Sequence, residues 1–262
     1  MKQEELNKIL ENHQHWIRKD CEGWETMRAD LSEANLSVAN LVGADLSYAT
    51  LFGTDLRGAN LWEACLVEAD LRGANLSGAN LLSADLYGAN LNRAILSTAN
   101  LCNANLCKAN LIDAYLYRVN MNLANLRETD LSETCFDNAC LYDAELRKAK
   151  DVPFIPYACP EVGAFIGFKK ASYHIVVLEI PEDAKRLSAT SRKCRCDKAK
   201  VLEIQNIDGT KSDVLEVRSG YDSNFIYRVG EMVTVPDFDE DRWNECSTGI
   251  HFFINRQDAV NY

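Results

Sequence analysis

Residues 29–48 read ADLSEANLSVANLVGADLSY, and the same five-residue pattern continues without insertion or deletion to residue 148. Written as A-(N/D)-L-x-x, the pattern occurs 24 times, with Leu at the third position in 22 repeats, Ala at the first in 20 and Asn or Asp at the second in 17. Met121 and Phe136 occupy the two central positions that lack Leu. A short fixed period sustained over this length predicts a solenoid, in which each repeat contacts only its neighbours.

The period of five predicts extended structure within each repeat. An α-helix requires apolar residues three and four positions apart, and a Leu at every fifth position would drift around its surface. In an extended segment alternate side chains point the same way, so Ala and Leu face inward and the intervening Asn or Asp faces outward. The two variable residues, which include six glycines, would form the turn. The outward Asn side chains are expected to form ladders and turn hydrogen bonds.

The stretch ADLSEANLSVANLVGADL and its continuation to residue 148 resemble the pentapeptide-repeat family. The resemblance implies a right-handed β-helix of square cross-section with four repeats per coil, so that 24 repeats would form six coils. At the usual spacing between strands, such a stack would be about 29 Å long. We therefore expect a mainly β protein: a right-handed quadrilateral β-helix over 29–150, an N-terminal helical cap over 1–28 and a small α+β domain over 151–262.

Both ends of the predicted solenoid need covers, because open strand edges aggregate. Residues 3–19 are typical of an amphipathic helix that caps the first coil, with one side formed by Leu6, Ile9, Leu10, His13, Trp16 and Ile17. His13 and His15 are interpreted as polar surface and cap residues. At the other end, residues 152–157 are expected to make an apolar contact with the last coil.

The C-terminal part has a different character. Five segments rich in β-branched and aromatic residues predict strands, namely 164–169, 173–180, 200–206, 231–235 and 249–254. A helical turn is expected within 182–190 and a short helix over 255–262. The sequences CPEVGAFIGFKK and RWNECSTGIHFFINRQDAVNY resemble the uncharacterised domain that follows pentapeptide repeats in many bacterial and phage proteins. That resemblance implies a bacterial or phage source and no particular activity.

Apolar runs, the N-terminal segment and the cysteines together indicate in which cellular compartment the protein is expected. No run approaches the roughly 18–20 apolar residues of a membrane-spanning helix, so no membrane association is expected. The charged N-terminal segment lacks the apolar stretch of a secretion signal. The ten cysteines are scattered without a compact framework, which favours reduced thiols and a cytoplasmic location.

The net charge of −11 is distributed unevenly, since residues 29–148 contain 15 acidic and 8 basic residues. Negative charge disfavours direct binding of nucleic acid by the repeats. It is compatible with imitation of DNA toward a topoisomerase, which the resemblance implies for some members of the family. A simple role in solubility is the favoured interpretation of this charge.

Basic residues cluster in the C-terminal part, where seven of 14 lie between residues 185 and 200. Within this basic segment, Arg186, Arg192, Lys193 and Arg195 are candidates for anion binding, because the sequence SATSRKCR also supplies hydroxyl groups and small residues. Contact with nucleic acid is a second interpretation. A solvated loop, or a loop paired with the acidic residues 237–241, is a third.

The C-terminal part also contains enough sulfur and nitrogen ligands for a zinc ion, namely Cys159, Cys194, Cys196, Cys246 and His251. The Cys-x-Cys spacing is tighter than usual for zinc, so small buried side chains are the favoured interpretation, and no metal or other cofactor is expected. Cys246 or Ser247 could act as a nucleophile with His251 as base. Five residues along a strand separate these groups too far, so we interpret them as buried strand residues.

One further pattern concerns the surface of the repeats. If each coil has 20 residues, positions 42, 62, 82, 102, 122 and 142 stack in one column, and they read Val, Trp, Leu, Cys, Asn and Tyr. Equivalent columns on the other faces are mostly polar, and an exposed apolar stripe is typical of an interface, although an irregular surface with a few isolated apolar residues is the alternative interpretation. The predicted partner-binding residues are therefore Val42, Trp62, Leu82 and Tyr142.

These patterns favour a non-enzymatic scaffold or protein-binding module, whose partner is another protein or a second copy of the chain. A DNA mimic acting on a topoisomerase is the first alternative. An enzymatic or anion-binding activity in residues 151–262 is the second.

Overall fold

The repeats pair with one another at a spacing of twenty residues. The computed structural model describes residues 1–152, 158–222, 224–244 and 246–262. Throughout the repeats, parallel bridges join each second-position residue to the one twenty positions later, from Asp30–Thr50 to Asp130–Lys150. Four pentapeptides therefore separate paired residues, and the stacked segments form a β-helix.

The central Leu residues and the preceding Ala residues form the interior, as the alternation predicts. From Leu31 to Leu131 every central residue is at most 2% exposed. Three of the four non-Ala residues at the first position are threonines, and each donates its hydroxyl to a main-chain carbonyl 23 residues earlier: Thr54 to Leu31, Thr129 to Leu106 and Thr134 to Leu111. These hydroxyls are tolerated inside because each has a hydrogen-bond partner.

The Asn and Asp residues at the second position close each turn. All 17 accept, through Oδ1, a hydrogen bond from the main-chain N–H two residues later. This contact is the Asx turn, which only a short side chain with a terminal oxygen can make. The prediction of turn hydrogen bonds is confirmed, and it explains why these two residue types dominate the position.

The second variable residue of each repeat has a left-handed backbone. Positive φ angles occur in all 24 repeats, from Glu33 to Lys148, although Gly fills this position in only six of them. Val38 and Thr98, at φ 53° and 60°, are β-branched and therefore poorly suited to this conformation. The repeat geometry thus imposes a left-handed backbone on residues that do not favour it.

The N-terminal helix α1, Gln3–Arg18, covers the first coil, and a 3₁₀ turn at Trp24–Thr26 follows it. Leu6 is 1% exposed and His13 is fully buried. The imidazole of His13 joins helix and coil: Nε2 donates to the Ser47 carbonyl at 3.0 Å, and Nδ1 accepts from the Ala29 N–H at 3.1 Å. The predicted N-terminal helix is present, and of the interpretation of His13 as a polar surface and cap residue, the surface part is wrong because the side chain is buried.

The last coil is less completely buried. Phe136 and Leu141 are half-buried, unlike the central residues before them, whereas Leu146 is 1% exposed. The predicted contact between this coil and residues 152–157 falls mainly on 153–157, which lie outside the described residues, so it stays a prediction.

The chain divides into two units, Met1–Phe154 and Ile155–Tyr262. The second unit contains strands β1 Phe165–Ala171, β2 His174–Ile180, β3 Arg186–Ser188, β4 Lys193–Cys196, β5 Lys198–Asn206, β6 Glu216–Arg218, β7 Ile226–Arg228, β8 Met232–Thr234 and β9 Ile250–Phe253, and helix α2 Arg256–Asn261. Seven strands form one sheet in the order β3-β4-β9-β1-β2-β5-β8, and β6 pairs with β7.

The second unit has a core on each side of this sheet. Phe252 belongs to the larger cluster, together with Leu178 and Cys194, whereas the next residue, Phe253, packs with Ile175 and with Ala259 of α2. The five predicted strands and the terminal helix are present. The helical turn expected within 182–190 is wrong, because this stretch contains a turn followed by β3.

Neither α-helix in the described part of the chain has the length and apolar character required to cross a bilayer.

Replacement of Leu86 by Asp should unfold the β-helix. Leu86 is 0% exposed, so the carboxylate would be buried without a partner, and we expect a loss of at least about 3 kcal/mol in unfolding free energy. Leu123→Asp is the matched control, because Leu123 is 55% exposed at a turn, and its effect should stay within about 0.5 kcal/mol. Urea denaturation of both variants measures this, and equal effects would contradict the inward register.

His13 should make stability depend on pH. Burial lowers the pKa of His13 below its ordinary value of 6.5, against a smaller opposing effect of the Ser47 carbonyl. Protonation at Nδ1 would break the bond from Ala29, so the stabilisation is complete above pH 6.5 and declines as pH falls toward the folded-state pKa.

The test compares the unfolding free energy of the wild type and His13→Gln at about pH 7.5 and about pH 5.5. The wild type should lose more stability on acidification than the variant, because only the wild type contains the His13 imidazole. The carboxylates contribute similarly to both proteins, so their effect cancels in the comparison. An identical pH dependence would show that His13 is not the responsible group.

Candidate binding surfaces

The column at position 42 is continuous in the structure. The Gly43 N–H donates to the carbonyl of Trp62 at 2.9 Å, and the Glu63 N–H donates to the carbonyl of Leu82 at 3.0 Å. The same bond recurs at each step to the pair formed by the Leu123 N–H and the Tyr142 carbonyl. Residues at positions 42, 62, 82, 102, 122 and 142 therefore lie one above another.

The apolar side chains of this column are substantially exposed. Val42 is 42% exposed, Trp62 43% and Tyr142 50%, and Leu82 is half-buried. Leu123, next to the column, is 55% exposed. These side chains leave apolar area in water that a partner would cover.

An asparagine ladder runs beside this column. Asn80, Asn100 and Asn120 each donate from Nδ2 to the Oδ1 of the asparagine twenty residues earlier, at 3.0, 3.3 and 3.1 Å. Each Oδ1 also accepts the main-chain N–H of the column residue, such as Trp62, so the side chains on this face are fixed in position. We call the segments 40–43, 60–63, 80–83, 100–103, 120–123 and 140–143 the asparagine face.

The asparagine face also differs in charge from the rest of the β-helix, which we call the rod. It contains two acidic residues, Glu63 and Asp143, and no Lys or Arg. The other 13 acidic and all 8 basic residues of 29–148 lie elsewhere. Low charge, fixed polar side chains and exposed apolar groups are together typical of the centre of a protein interface.

Much of the acidic surface outside this face is locally compensated. Arg57 and Arg72 each pair with the aspartate two residues earlier, at 2.6 and 2.7 Å. Three further carboxylates have basic partners in the adjacent coil: Asp113 with Arg93, Asp130 with Lys150 and Glu145 with Arg127.

The basic segment of the second unit forms a hairpin rather than the predicted loop. Strands β3 and β4 pair, and β4 pairs with β9. Arg186 donates to the main-chain carbonyls of Gly163, Pro181, Glu182 and Ala184. Arg195, 3% exposed, donates to the carbonyls of Thr248 and Asp241. The guanidinium groups of Arg186 and Arg195 are therefore held by main-chain carbonyls of the protein itself.

The other two candidates have different surroundings. Arg192 pairs with Asp258 at 3.1 Å, while Lys193 lines a cavity of about 540 Å³. Pairing of the basic segment with residues 237–241 also occurs, since Lys185 forms an ion pair with Glu240. Of the four predicted anion-binding residues, Lys193 is the one that lines this cavity.

Three of the four predicted sulfur ligands lie in one buried cluster, and the fourth, Cys246, is exposed. Cys159, Cys194 and Cys196 are buried, and burial raises the pKa of the Cys196 thiol far above its ordinary value. Cys246 is exposed and precedes β9, so its interpretation as a buried strand residue is wrong, as is that of Ser247. Within the described residues, potential metal ligands come together at His15, Asp20 and Cys21, where His15 and Asp20 already form a hydrogen bond of 2.7 Å.

Sequence reasoning missed Lys169, which lines the same cavity as Lys193 and is 8% exposed. A signal was present in β1, FIGFKKA. Alternation places Lys169 on the same side of the strand as Gly167 and Ala171, two small residues that mark an inward face.

Comparison with known proteins identifies the class. Pentapeptide repeats, in eight copies, match five overlapping ranges between residues 27 and 147. The chain belongs to the pentapeptide-repeat family. Residues 155–259 match a second family, described as a family of unknown function (DUF5758). No curated protein is similar enough to count as a match.

Several solved structures resemble the repeats. HetL, a pentapeptide repeat protein involved in heterocyst differentiation regulation in Nostoc sp. PCC 7120, is 31% identical over 47% of this chain and 78% of its own, with a TM-score of 0.18. The protein alr5209, also from Nostoc, is 35% identical over 44% and 81%, with a TM-score of 0.26. The fluoroquinolone resistance protein QnrB1 is 18% identical over 47% and 88%, with a TM-score of 0.21.

Proposed function

We propose that this chain is a non-enzymatic scaffold that binds a protein partner through the asparagine face. The observation that carries the proposal is the exposed column of Val42, Trp62, Leu82 and Tyr142 on the face that has no basic residue. Such a face offers apolar contact with only two charged residues, Glu63 and Asp143, to desolvate.

The proposal requires a particular shape. We infer a right-handed, four-sided helix of six coils, supported by the twenty-residue spacing of the bridges and by the 24 uninterrupted repeats. Four sides make the asparagine face flat, and six coils give its column a length of about 24 Å. A flat face of this length suits a second copy of the chain related by twofold symmetry, because the same patch can then face itself.

The location inferred for this scaffold is the cytoplasm. All ten cysteines are free thiols in the structure, and thiols of this kind persist in a reducing compartment.

Replacement of Trp62 by Glu should weaken partner binding while leaving the rod folded. Trp62 is 43% exposed, and a buried Trp often contributes more to an interface than its neighbours, so we expect self-association or partner affinity to fall by about tenfold or more. Tyr117→Glu is the control, since Tyr117 is also 43% exposed but lies in a different column.

Sedimentation of the wild type and both variants, together with pull-down of partners from the source organism, measures this effect. Circular dichroism confirms that the variants fold. If all three proteins are monomers and recover the same partners, the asparagine face is ordinary surface.

Imitation of DNA is the second candidate function, favoured by the 13 acidic residues outside the asparagine face. The ion pairs of Asp55, Asp70, Asp113, Asp130 and Glu145 weaken this candidate, since charges neutralised within the rod cannot imitate a row of phosphates. The scaffold proposal is therefore preferred.

A supercoiling assay with DNA gyrase separates the two functions. We expect no inhibition by the full chain at concentrations up to about 10 µM, where a specific protein complex would be nearly saturated. Inhibition at lower concentrations that the Trp62→Glu variant retains would favour the DNA mimic instead.

A further inference from the structure

The second unit contains a cavity of about 540 Å³, which is large enough for a small molecule. Phe225, Tyr227, Val235 and Pro236 supply an apolar part of its wall. Tyr221 and Cys246 also line it and are exposed, so the cavity is open to solvent at that rim. Neither the repeats nor the asparagine face contributes to its lining.

Lys169 is the unusual residue in this wall. Its side chain is 8% exposed. Among the described residues the side-chain amine of Lys169 has no hydrogen-bond or ion-pair partner. Burial, with a smaller effect of nearby Lys193, lowers its pKa to about 8, so the amine still carries a proton at neutral pH. Because Lys169 lines the cavity, its ammonium is accessible from there, and an anion inside the cavity would supply the counter-charge that it lacks.

Lys193 and His251 line the same cavity. The Lys193 ammonium lies 3.6 Å from the Cys246 sulfur and 5.7 Å from the centre of the Tyr262 ring. Burial first, and then the charges of Lys193, Lys169 and Arg195, lower the pKa of His251 to about 3. The imidazole is therefore neutral, and its buried Nε2 has no hydrogen-bond partner among the residues that the structure describes.

The acidic residues of the wall do not neutralise these amines. Asp222 and Asp237 line the cavity, but both are exposed, and in the described structure neither forms an ion pair with Lys169 or Lys193. Lys169 thus places positive charge in the buried part of the wall and Lys193 is half-buried, whereas negative charge lies where water solvates it. This separation favours an anionic group that enters the cavity over one that stays at the rim.

We propose that the cavity binds a small molecule in which one anionic group, a carboxylate or a phosphate, is attached to an apolar body. Lys169 and Lys193 hold the anion, His251 Nε2 contacts a polar atom next to it, and the apolar body packs on Phe225, Tyr227 and Val235. This ligand site is independent of the protein-binding function proposed for the repeats.

Calorimetric titration of the full chain with simple probes tests the site. The probes are benzoate and phenyl phosphate, with neutral benzamide and inorganic phosphate for comparison. We expect saturable binding of at least one aromatic anion, with a dissociation constant of about 1 mM or below. Benzamide, which lacks the charge, and inorganic phosphate, which lacks the apolar body, should each bind at least about tenfold more weakly.

Lys169→Met is the decisive variant, because Met matches the length of the side chain and removes the charge. It should weaken binding of the aromatic anion by about tenfold or more. Lys200→Met is the matched control, since Lys200 is exposed on β5 and does not line the cavity, and its affinity should stay within about twofold. Lys193→Met provides a second removal of charge if Lys169→Met does not fold.

The outcomes are distinct. Saturable binding of an aromatic anion that either cavity variant weakens by about tenfold or more, and that the control retains, establishes the site. Absence of binding by both aromatic anions overturns the proposal. So does equal binding of benzamide, or an affinity that neither cavity variant changes.

Discussion

The stacking of one Leu on the next every twenty residues is the contact on which the first unit depends. It requires four successive pentapeptides to return the chain to the same wall, so every repeat must turn at its last position. All 24 repeats adopt a left-handed backbone there, at a cost of order 1 kcal/mol for each residue other than Gly. Burial of an entire Leu side chain contributes about 1.5–3 kcal/mol. The interior therefore outweighs the strained turns, which is why ordinary residues are tolerated at the corners.

The repeats could be predicted from sequence because their information is local. The distance between Ala29 and Leu31 already defines which side chains face inward, and each Asx turn joins residues two apart. The burial of His13 was not predictable in this way, since it depends on Ser47 and Ala29, which approach only when helix and coil meet. A pattern within the helix shows which side is apolar, but it does not show what covers that side.

The second unit shows the same limit more strongly. Five of the nine strands in its described part were recognisable from composition, but the contacts of each charged residue depend on partners far along the chain. Arg195 is opposite His251, and Lys193 is opposite Phe253. Basic residues adjacent in sequence consequently differ in role: Arg195 is held by main-chain carbonyls, whereas Lys193 lines a cavity with Lys169. The cluster of basic residues between 185 and 200 suggested anion binding in this unit. Of the four candidates it supplied, only Lys193 lines the cavity that also contains Lys169.

The twenty-residue spacing of the bridges has a consequence for how such a chain can change in length. Deleting one pentapeptide would preserve the local pattern, so the rod would still fold. Every residue after the deletion would, however, move to the neighbouring side, and Leu82 and Tyr142 would no longer lie in line with Val42. Only changes by a whole coil keep the sides in phase. Selection that acts on a binding face would therefore remove five-residue deletions that selection on folding alone would accept.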